Sequence, residues 1–431
     1  MANDKSVFYK YSTRLIHGKF RSEKWDYEHH LIPPITASTT FRLDSAKRGQ
    51  QGFIDFADPK RAAQAMSPIY IYDRLDEPTV GMLEDFFKEA EGGECACAFA
   101  CGMSAISAAL MVCSKVGSNI VAHRTLYGCT FSLMTNWLPK FGITTRFINA
   151  NDVQELLSAV DDNTRVVYVE TPANPTLEAV DIQKVAEALK PINDKRPPKH
   201  KVVLIVDNTF PTPWGQRPLS CGADIVVESL TKGVSGFGVD MGGIVVAPER
   251  FHKGLRGFRK DFGGVLPPSS AWSIIVYGLS TLPLRVRRQS ENAMVVAQYL
   301  AKNPKVSRVH YPGLDSYPYK EVARKQMVDP EGNFAPGFMV YFEVAGEVEE
   351  ARDKCEKLVN YIAEHSYCIT LAVSLGTTKT LIETPGLMTH SAMDAESQSE
   401  AGIHPGGVRL SVGLEDPNDL IKDLEEAFGH I

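Results

Sequence analysis

Two apolar runs end in groups that can do chemistry. Val202-Val-Leu-Ile-Val-Asp207 closes on an acid. Asp224-Ile-Val-Val-Glu-Ser-Leu-Thr-Lys232 closes on two hydroxyls and a lysine, with Gly233, Gly236 and Gly238 behind them. In open α/β sheets, ligands bind beyond the carboxyl ends of the strands, so a site is sought there first. An amine just past a buried strand loses part of its hydration. Desolvation favours the neutral form, and a neutral amine is a nucleophile. Ser229 and Thr231 suit phosphate oxygens, and glycines let backbone approach a ligand closely. Each feature also has a plainer reading. Asp207 could cap the next turn, and Lys232 could be a solvated lysine in a glycine-rich turn.

Two further segments add to the pattern. Ala100-Cys-Gly-Met-Ser-Ala105 lies where an apolar strand gives way to an Ala-rich helix, so its backbone N–H groups form a ready anion site. Leu126-Tyr-Gly-Cys-Thr130 puts an aromatic ring in the next strand-to-helix loop. A lysine, an acid, an anion-binding helix start and a flat aromatic are together what pyridoxal phosphate requires. The lysine bonds the aldehyde and the acid keeps the pyridine nitrogen protonated, so that the ring accepts electrons. The helix start takes the phosphate, and the aromatic stacks on the ring.

The elements that must position these groups alternate. Spacing of apolar residues predicts a helix over 79–90, a strand over 95–100 and a buried helix over 102–112. Strands follow over 119–122, 144–148, 166–170, 202–207 and 225–227, with helices over 130–141, 153–160 and 182–189 between them. Such alternation means a mostly parallel sheet with helices on both faces. A long helix is expected from 279 to 301. Residues 338–344, rich in aromatic and β-branched types, read as a strand of a smaller α+β domain. The first seventy or so residues read as irregular, because Pro33-Pro34, Gly49, Gly52, Pro59 and Pro68 interrupt any helical pattern. The expected organisation is an extended arm over 1–75, an α/β domain over 76–280 and a C-terminal α+β domain over 281–431.

Composition excludes several classes. The 431 residues carry 46 basic and 52 acidic side chains, a net charge of −6, which argues against nucleic acid as a partner. No apolar run is long enough for a membrane span, and residues 1–20 lack the apolar core of a secretory signal. Eight cysteines in a chain of this length are not a disulfide framework, and a reduced cytoplasmic compartment is expected. Cys95-Ala-Cys-Ala-Phe-Ala-Cys101 has a spacing open to a metal reading. Free cysteines also pack as small hydrophobes, and no C-x₂-C pair or neighbouring histidine accompanies them in sequence. The expectation is no metal.

Tyr70-Ile-Tyr-Asp-Arg74, Cys101-Gly-Met103, Leu126-Tyr-Gly-Cys-Thr130, Glu170-Thr-Pro-Ala-Asn-Pro-Thr176, Val206-Asp-Asn-Thr209, Ser229-Leu-Thr-Lys232 and Val408-Arg-Leu-Ser-Val-Gly413 occur in that order. From about Tyr70 to Ile431 the chain resembles the Cys/Met-metabolism family of fold-type I pyridoxal-phosphate enzymes. The resemblance implies the fold-type I transferase architecture and a set of roles. Lys232 would bond the cofactor and shuttle protons. Asp207 would pair with the pyridine nitrogen. Tyr127 would stack on the ring and act as acid or base near the leaving group. Asn174 would hydrogen-bond the ring hydroxyl. Gly102, Met103, Ser229 and Thr231 would hold the phosphate, and Tyr72 and Arg74 would reach the phosphate of a neighbouring subunit. Arg409 would fork onto the substrate carboxylate, which suits guanidinium geometry, with Ser374 assisting. A homotetramer built as a dimer of dimers is implied, acting on a small amino-acid substrate.

Bland alternatives stand beside these roles. Arg409 could be a salt-bridge residue, although an unpaired charge inside Val408-Arg-Leu-Ser-Val412 would be costly, so a partner is expected. Tyr72 could be a core aromatic, and Asn174 between two prolines could shape a turn. The chain departs from the family pattern at Cys101, Gly233, Gly236-Phe237, Asp73 and Lys379. Lys379 replaces a frequent acid near the distal end of the substrate, which disfavours a substrate with a distal amino group; it could equally be a solvated loop lysine. The resemblance leaves the segment between Asp55 and Met66 without a role.

On the reaction itself, Cys129 bears most. In this family the order Tyr127-Gly-Cys-Thr130 resembles that of the methionine γ-lyases, whereas cystathionine enzymes and sulfhydrylases more often have glycine there. The implied activity is γ-elimination from L-methionine, giving methanethiol, 2-oxobutyrate and ammonia. The alternatives are cystathionine cleavage or synthesis, and γ-replacement on an O-acylated homoserine. Cys129 could also be a small packed residue without a role.

Overall fold

A computed structural model describes residues 9–18, 30–58, 68–391 and 393–431. Seven strands form the larger sheet: β1 Cys95–Phe99, β2 Asn119–His123, β3 Thr144–Ile148, β4 Thr164–Glu170, β5 Val203–Asp207, β6 Ile225–Glu228 and β7 Gly243–Ala247. Their order is β1-β7-β6-β5-β4-β2-β3. Strands β2 to β6 pair in parallel, and β7 runs antiparallel to both its neighbours. The sequence reading lacked β7. Its run Gly-Ile-Val-Val-Ala follows directly on a glycine-rich loop, which hid the start of a buried strand.

Alternation of side chains along these strands loads both faces. Ala96, Ala98, Val226, Ile244 and Val246 pack on the helix Pro78–Glu91, whose Val80, Met82, Leu83, Phe86 and Phe87 are buried. Cys95, Cys97, Phe99, Val227 and Val245 face the other way, onto the helix Gly102–Cys113. Cys95 and Cys97 thus fill core positions, as small hydrophobes do. The helix Pro78–Glu91 starts where Val80 N–H donates to the Glu77 carboxylate at 2.8 Å, with proline in its first turn, and it stops at left-handed Gly92.

A second sheet has the order β10-β11-β12-β9-β8, from β8 Val306–His310, β9 Met339–Val344, β10 Ile369–Leu371, β11 Thr380–Glu383 and β12 Gly407–Ser411. Val340, Phe342, Ile382, Val408 and Leu410 form one face, packed on the helices Ser280–Leu300, Val348–His365 and Pro417–Phe428. The period of two turns Arg409 and its cross-strand partners Tyr341 and Glu383 the other way. Tyr341 and Met339 on that side join the core of the larger sheet. Arg409 of β12 thereby reaches Asn174, just beyond the end of β4.

Two expectations need correction. The early segment is not wholly irregular: Ala46–Ala57 is a helix that runs through Gly49 and Gly52. A Cβ at Gly52 would lie 2.8 Å from Ile69, so tertiary packing there uses a glycine that propensity alone reads as a breaker. The helix expected over 130–141 is a short α-turn, a π-turn and a 3₁₀-turn in succession. The long helix expected from 279 to 301 is found over Ser280–Leu300, preceded by a π-turn over Ile274–Leu279. The segment between Asp55 and Met66 enters the described residues only as far as Asp58.

Candidate active site

The carboxyl ends of β4, β5 and β6 lie side by side and carry Glu170, Asp207 and Glu228. Asp207 is held by two donors, the Tyr168 hydroxyl at 3.2 Å and the Thr209 N–H at 3.0 Å. Burial pushes its carboxyl up from the usual range, and the bonds to Thr209 and Tyr168 draw it back. Both oxygens of Glu170 accept the Tyr127 N–H, at 2.9 and 3.0 Å. Glu170 therefore fixes the loop that carries the aromatic. Burial holds it well above the carboxylate range, and the neighbouring Asp207 charge adds to this.

Lys232 Nζ donates to Ser374 Oγ at 3.0 Å. Burial, then the nearby Arg409 charge, lowers the amine to about 8. Ser374 sits at φ +83°, a backbone conformation costing on the order of 1–3 kcal/mol for a residue with a side chain. It is held there from both sides, since its carbonyl accepts from Arg409 Nη2 at 2.9 Å. Arg409 also donates through Nη1 to Asn174 Oδ1 at 2.9 Å and pairs with Glu383 Oε1 at 2.9 Å. Arg409 and Glu383 are 3% and 1% exposed, so the pair is fully desolvated. Tyr127 Oη accepts from the exposed Cys129 thiol at 3.4 Å, and burial raises the phenol above its ordinary value.

Lys232, Ser374, Arg409, Asn174 and Glu383 thus form one contact chain, while Asp207 and Tyr127 are tied in through Glu170. Gly102 and Met103 open the helix Gly102–Cys113. A Cβ at Gly102 would be 2.9 Å from Ser229 Cβ and 3.2 Å from its hydroxyl, so glycine is what lets Ser229 stand beside the helix start. Met103 Sδ faces the Thr130 hydroxyl. Thr231 exchanges hydrogen bonds with both the N–H and carbonyl of Gly242, at 3.0 and 3.2 Å. Tyr72 and Arg74 make their contacts elsewhere. The guanidinium lies 5.5 Å over the half-exposed Tyr72 ring and donates to the Lys260 carbonyl at 2.5 Å. Lys379 is exposed.

Sequence reasoning missed three residues. Glu170 was visible as a strand-end acid level with Asp207 but was given no role. Glu383 becomes the partner of Arg409 only through β11–β12 register. His390 is buried. Its ring Nε2 meets the Leu126 carbonyl at 3.2 Å, the Thr389 hydroxyl lies beside Nδ1 at 3.0 Å, and burial lowers it to about 4. It braces the residue before Tyr127 as a neutral ring. One further grouping arises only in three dimensions: the ligand atoms of Cys95, Glu249 and His252 lie within 4.8 Å of one another, although no histidine is near Cys95 in sequence.

The profile of the Cys/Met metabolism PLP-dependent enzyme family matches residues 12–429. The chain is 42% identical over 403 residues to an L-methionine gamma-lyase of Fusobacterium nucleatum subsp. polymorphum, covering 93% of this chain and 94% of that protein. It is 38% identical to an L-methionine gamma-lyase of Porphyromonas gingivalis, over 97% and 96% of the two chains. It is 37% identical to a cystathionine beta-lyase of Lactococcus lactis subsp. cremoris, over 96% and 98%. Among solved structures, a cystathionine gamma-lyase from Lactobacillus plantarum complexed with L-serine superposes with a TM-score of 0.84 at 31% identity, over 98% and 99%. With its strand-end acid, lysine and helix start assembled as described, the chain belongs to the Cys/Met metabolism family of pyridoxal-phosphate-dependent enzymes.

Proposed function

We propose that the chain eliminates the γ-methylthio group of L-methionine, which leaves as methanethiol, and that hydrolysis of the remainder gives 2-oxobutyrate and ammonia. The observation that carries this reading is full-length likeness to six L-methionine gamma-lyases, at 36–42% identity. The Cys129 thiol against the Tyr127 hydroxyl supports it, because a soft sulfur then stands beside the group assigned to the leaving thiolate.

The residues present fit the cofactor. The Ser229 hydroxyl beside the N-terminus of a twelve-residue helix suits a phosphate. Asp207, oriented by two donors, suits a ring N–H. When bound, pyridoxal phosphate supplies an electron-withdrawing ring that stabilises negative charge at the substrate's α-carbon. Gly102, Met103, Ser229 and Thr231 would hold its phosphate, and Asn174 would lie near its hydroxyl.

The chain's own groups do the rest. Lys232 Nζ, lowered to about 8, is partly neutral near physiological pH and can take the α-proton. The Tyr127 phenol keeps its proton and donates it to the departing sulfur. Arg409 orients the substrate carboxylate, which must share or displace Glu383 and Asn174 on the guanidinium. Ser374 couples the two ends, holding Arg409 by its carbonyl and Lys232 by its hydroxyl.

Within one chain Arg74 contacts the Tyr72 ring and the Lys260 carbonyl rather than the residues around Lys232, and this supports their acting on a second copy in a dimer or a dimer of dimers. The eight cysteines are free, which supports a reduced, cytoplasmic setting. Among the described residues no helix is long and apolar enough to cross a membrane.

Separate incubations with methionine, cystathionine, homocysteine and O-acetylhomoserine test the reading. Methanethiol and 2-oxobutyrate in equal amounts from methionine are expected. Exclusive turnover of cystathionine, which the cystathionine beta-lyase relative keeps as the second reading, would reject it.

A further inference from the structure

Behind the site, two carboxyl side chains are buried against each other. Glu91 ends the helix Pro78–Glu91 and Glu228 ends β6, and each is 1% exposed. The Asn208 amide nitrogen donates to Glu91 Oε1 at 2.8 Å and stands 3.3 Å from Glu228 Oε1. The remaining oxygen of each, Oε2, is buried with no donor. A single orphaned oxygen of this kind is costly. Two on adjacent carboxyls are both satisfied by one proton between them, and two buried like charges at such range cannot both persist.

The surroundings reinforce this. Asn208 and Gln216 are neutral. The charged or titratable groups facing the pair are Arg217, Asp207 and Tyr11, and Arg14 lies beside Tyr11. Arg217 favours ionisation of Glu91, whereas Asp207 disfavours it at Glu228. Tyr11 gives its hydroxyl to the Ala90 carbonyl at 3.3 Å. Burial raises both carboxyls, most strongly Glu228.

The pair is wired to the site. Asn208 follows Asp207 and Glu228 precedes Ser229. Asn208 Oδ1 accepts from Gln216 Nε2 at 3.0 Å, and the same nitrogen donates to the carbonyl of Thr171, next to Glu170, at 2.9 Å. The network therefore joins the residues just beyond β4 and β5 to the end of β6. We propose that Glu91 and Glu228 share one proton and act as a positioning latch, setting the spacing between Asp207 and Ser229 at which the cofactor is held. This rests on the reading of Asp207 and Ser229 as cofactor ligands, and not on which substrate is cleaved.

Infrared spectra of the holoenzyme at neutral and mildly alkaline pH should contain the carbonyl stretch of buried protonated carboxyls, and Glu228→Gln should remove the component that belongs to this pair. Glu228→Ala should weaken pyridoxal phosphate binding, measured by dialysis of the holoenzyme, by roughly tenfold. Glu228→Gln donates an N–H to Glu91 without needing the proton, so it should restore most of that affinity. A spectrum in that region unchanged by Glu228→Gln overturns the shared proton. Equal cofactor affinity in Glu228→Ala and wild type, or equal loss in the alanine and glutamine variants, overturns the latch. A protein that shows that component and the alanine–glutamine difference yet leaves methionine intact supports the latch and rejects the substrate assignment.

Discussion

The two sheets handle buried charge in opposite ways. At the strand ends of the larger sheet, Glu170, Asp207, Glu91 and Glu228 crowd together, and burial raises every one of these carboxyls. Charge is suppressed there and the groups act through hydrogen bonds. On the smaller sheet, Arg409 and Glu383 occupy facing register positions and form a 2.9 Å ion pair. Charge is kept there and neutralised by its opposite. The difference matches what each side must receive. On the proposed reading, Asp207 would regain its charge against a ring N–H, and Arg409 would accept a substrate carboxylate that shares or displaces Glu383. Lys232, bonded to Ser374, is where the two sides meet.

Substitutions that break this division should rank by how directly they touch that meeting point. Lys232→Ala should lower kcat by roughly 10³-fold or more while the protein still takes up cofactor; borohydride reduction and peptide mapping should place the wild-type label on Lys232 and nowhere else. Full activity in Lys232→Ala would remove the basis of the mechanism. Arg409→Lys loses the fork and leaves Glu383 imperfectly paired. Deleting one member of a buried pair costs about 3–5 kcal/mol, so a loss of at least about 100-fold in kcat/KM is expected, mostly through KM.

The charge-keeping side is sharpened by Glu383→Gln. Its Arg409 lacks a counter-ion until substrate arrives. The free protein should therefore lose roughly 1–3 kcal/mol of stability, and a substrate-like amino acid should raise its Tm more than it raises that of the wild type. An equal rise in both would show that Glu383 does not compete for Arg409. The amine between the two sides gives a pH signature. Lys232 is lowered to about 8, so it loses its proton as pH rises through that value. Cofactor attachment to the apoenzyme should speed up on the alkaline side of about 8 and slow below it. A profile flat across that range would contradict the burial argument. The smallest effect is expected from Cys129→Gly, a shift of a few-fold in the ratio of methionine to cystathionine cleavage. An unchanged ratio would leave Cys129 as a packing residue.

Much of the site was legible because its residues sit at chain positions with distinct chemistry. Asp207 and Lys232 end apolar runs, and the helix after Cys101 begins at a glycine. The partner demanded by an arginine within Val408-Arg-Leu-Ser-Val412 was also foreseeable, but its identity was not. Glu383 lies in another strand, and only β11–β12 register brings it opposite Arg409. The bonds of Thr231 to Gly242 cross a loop whose path spacing does not disclose. The glycines of Ala46–Ala57 misled for a related reason, since local propensity favours breaking a helix where packing against Ile69 requires the missing side chain.

The amino-acid order by itself determined the alternation of strand and helix, the faces each strand would bury and the groups left at the strand ends. Those follow from periodicity and from the cost of burying a charge, which are local properties. Tertiary structure alone decided which buried charge meets which. The pairing of Arg409 with Glu383, of Glu91 with Glu228 and of Lys232 with Ser374 joins residues 26 to 142 positions apart. Such pairs are set by how sheets and helices pack, and no short-range pattern records them.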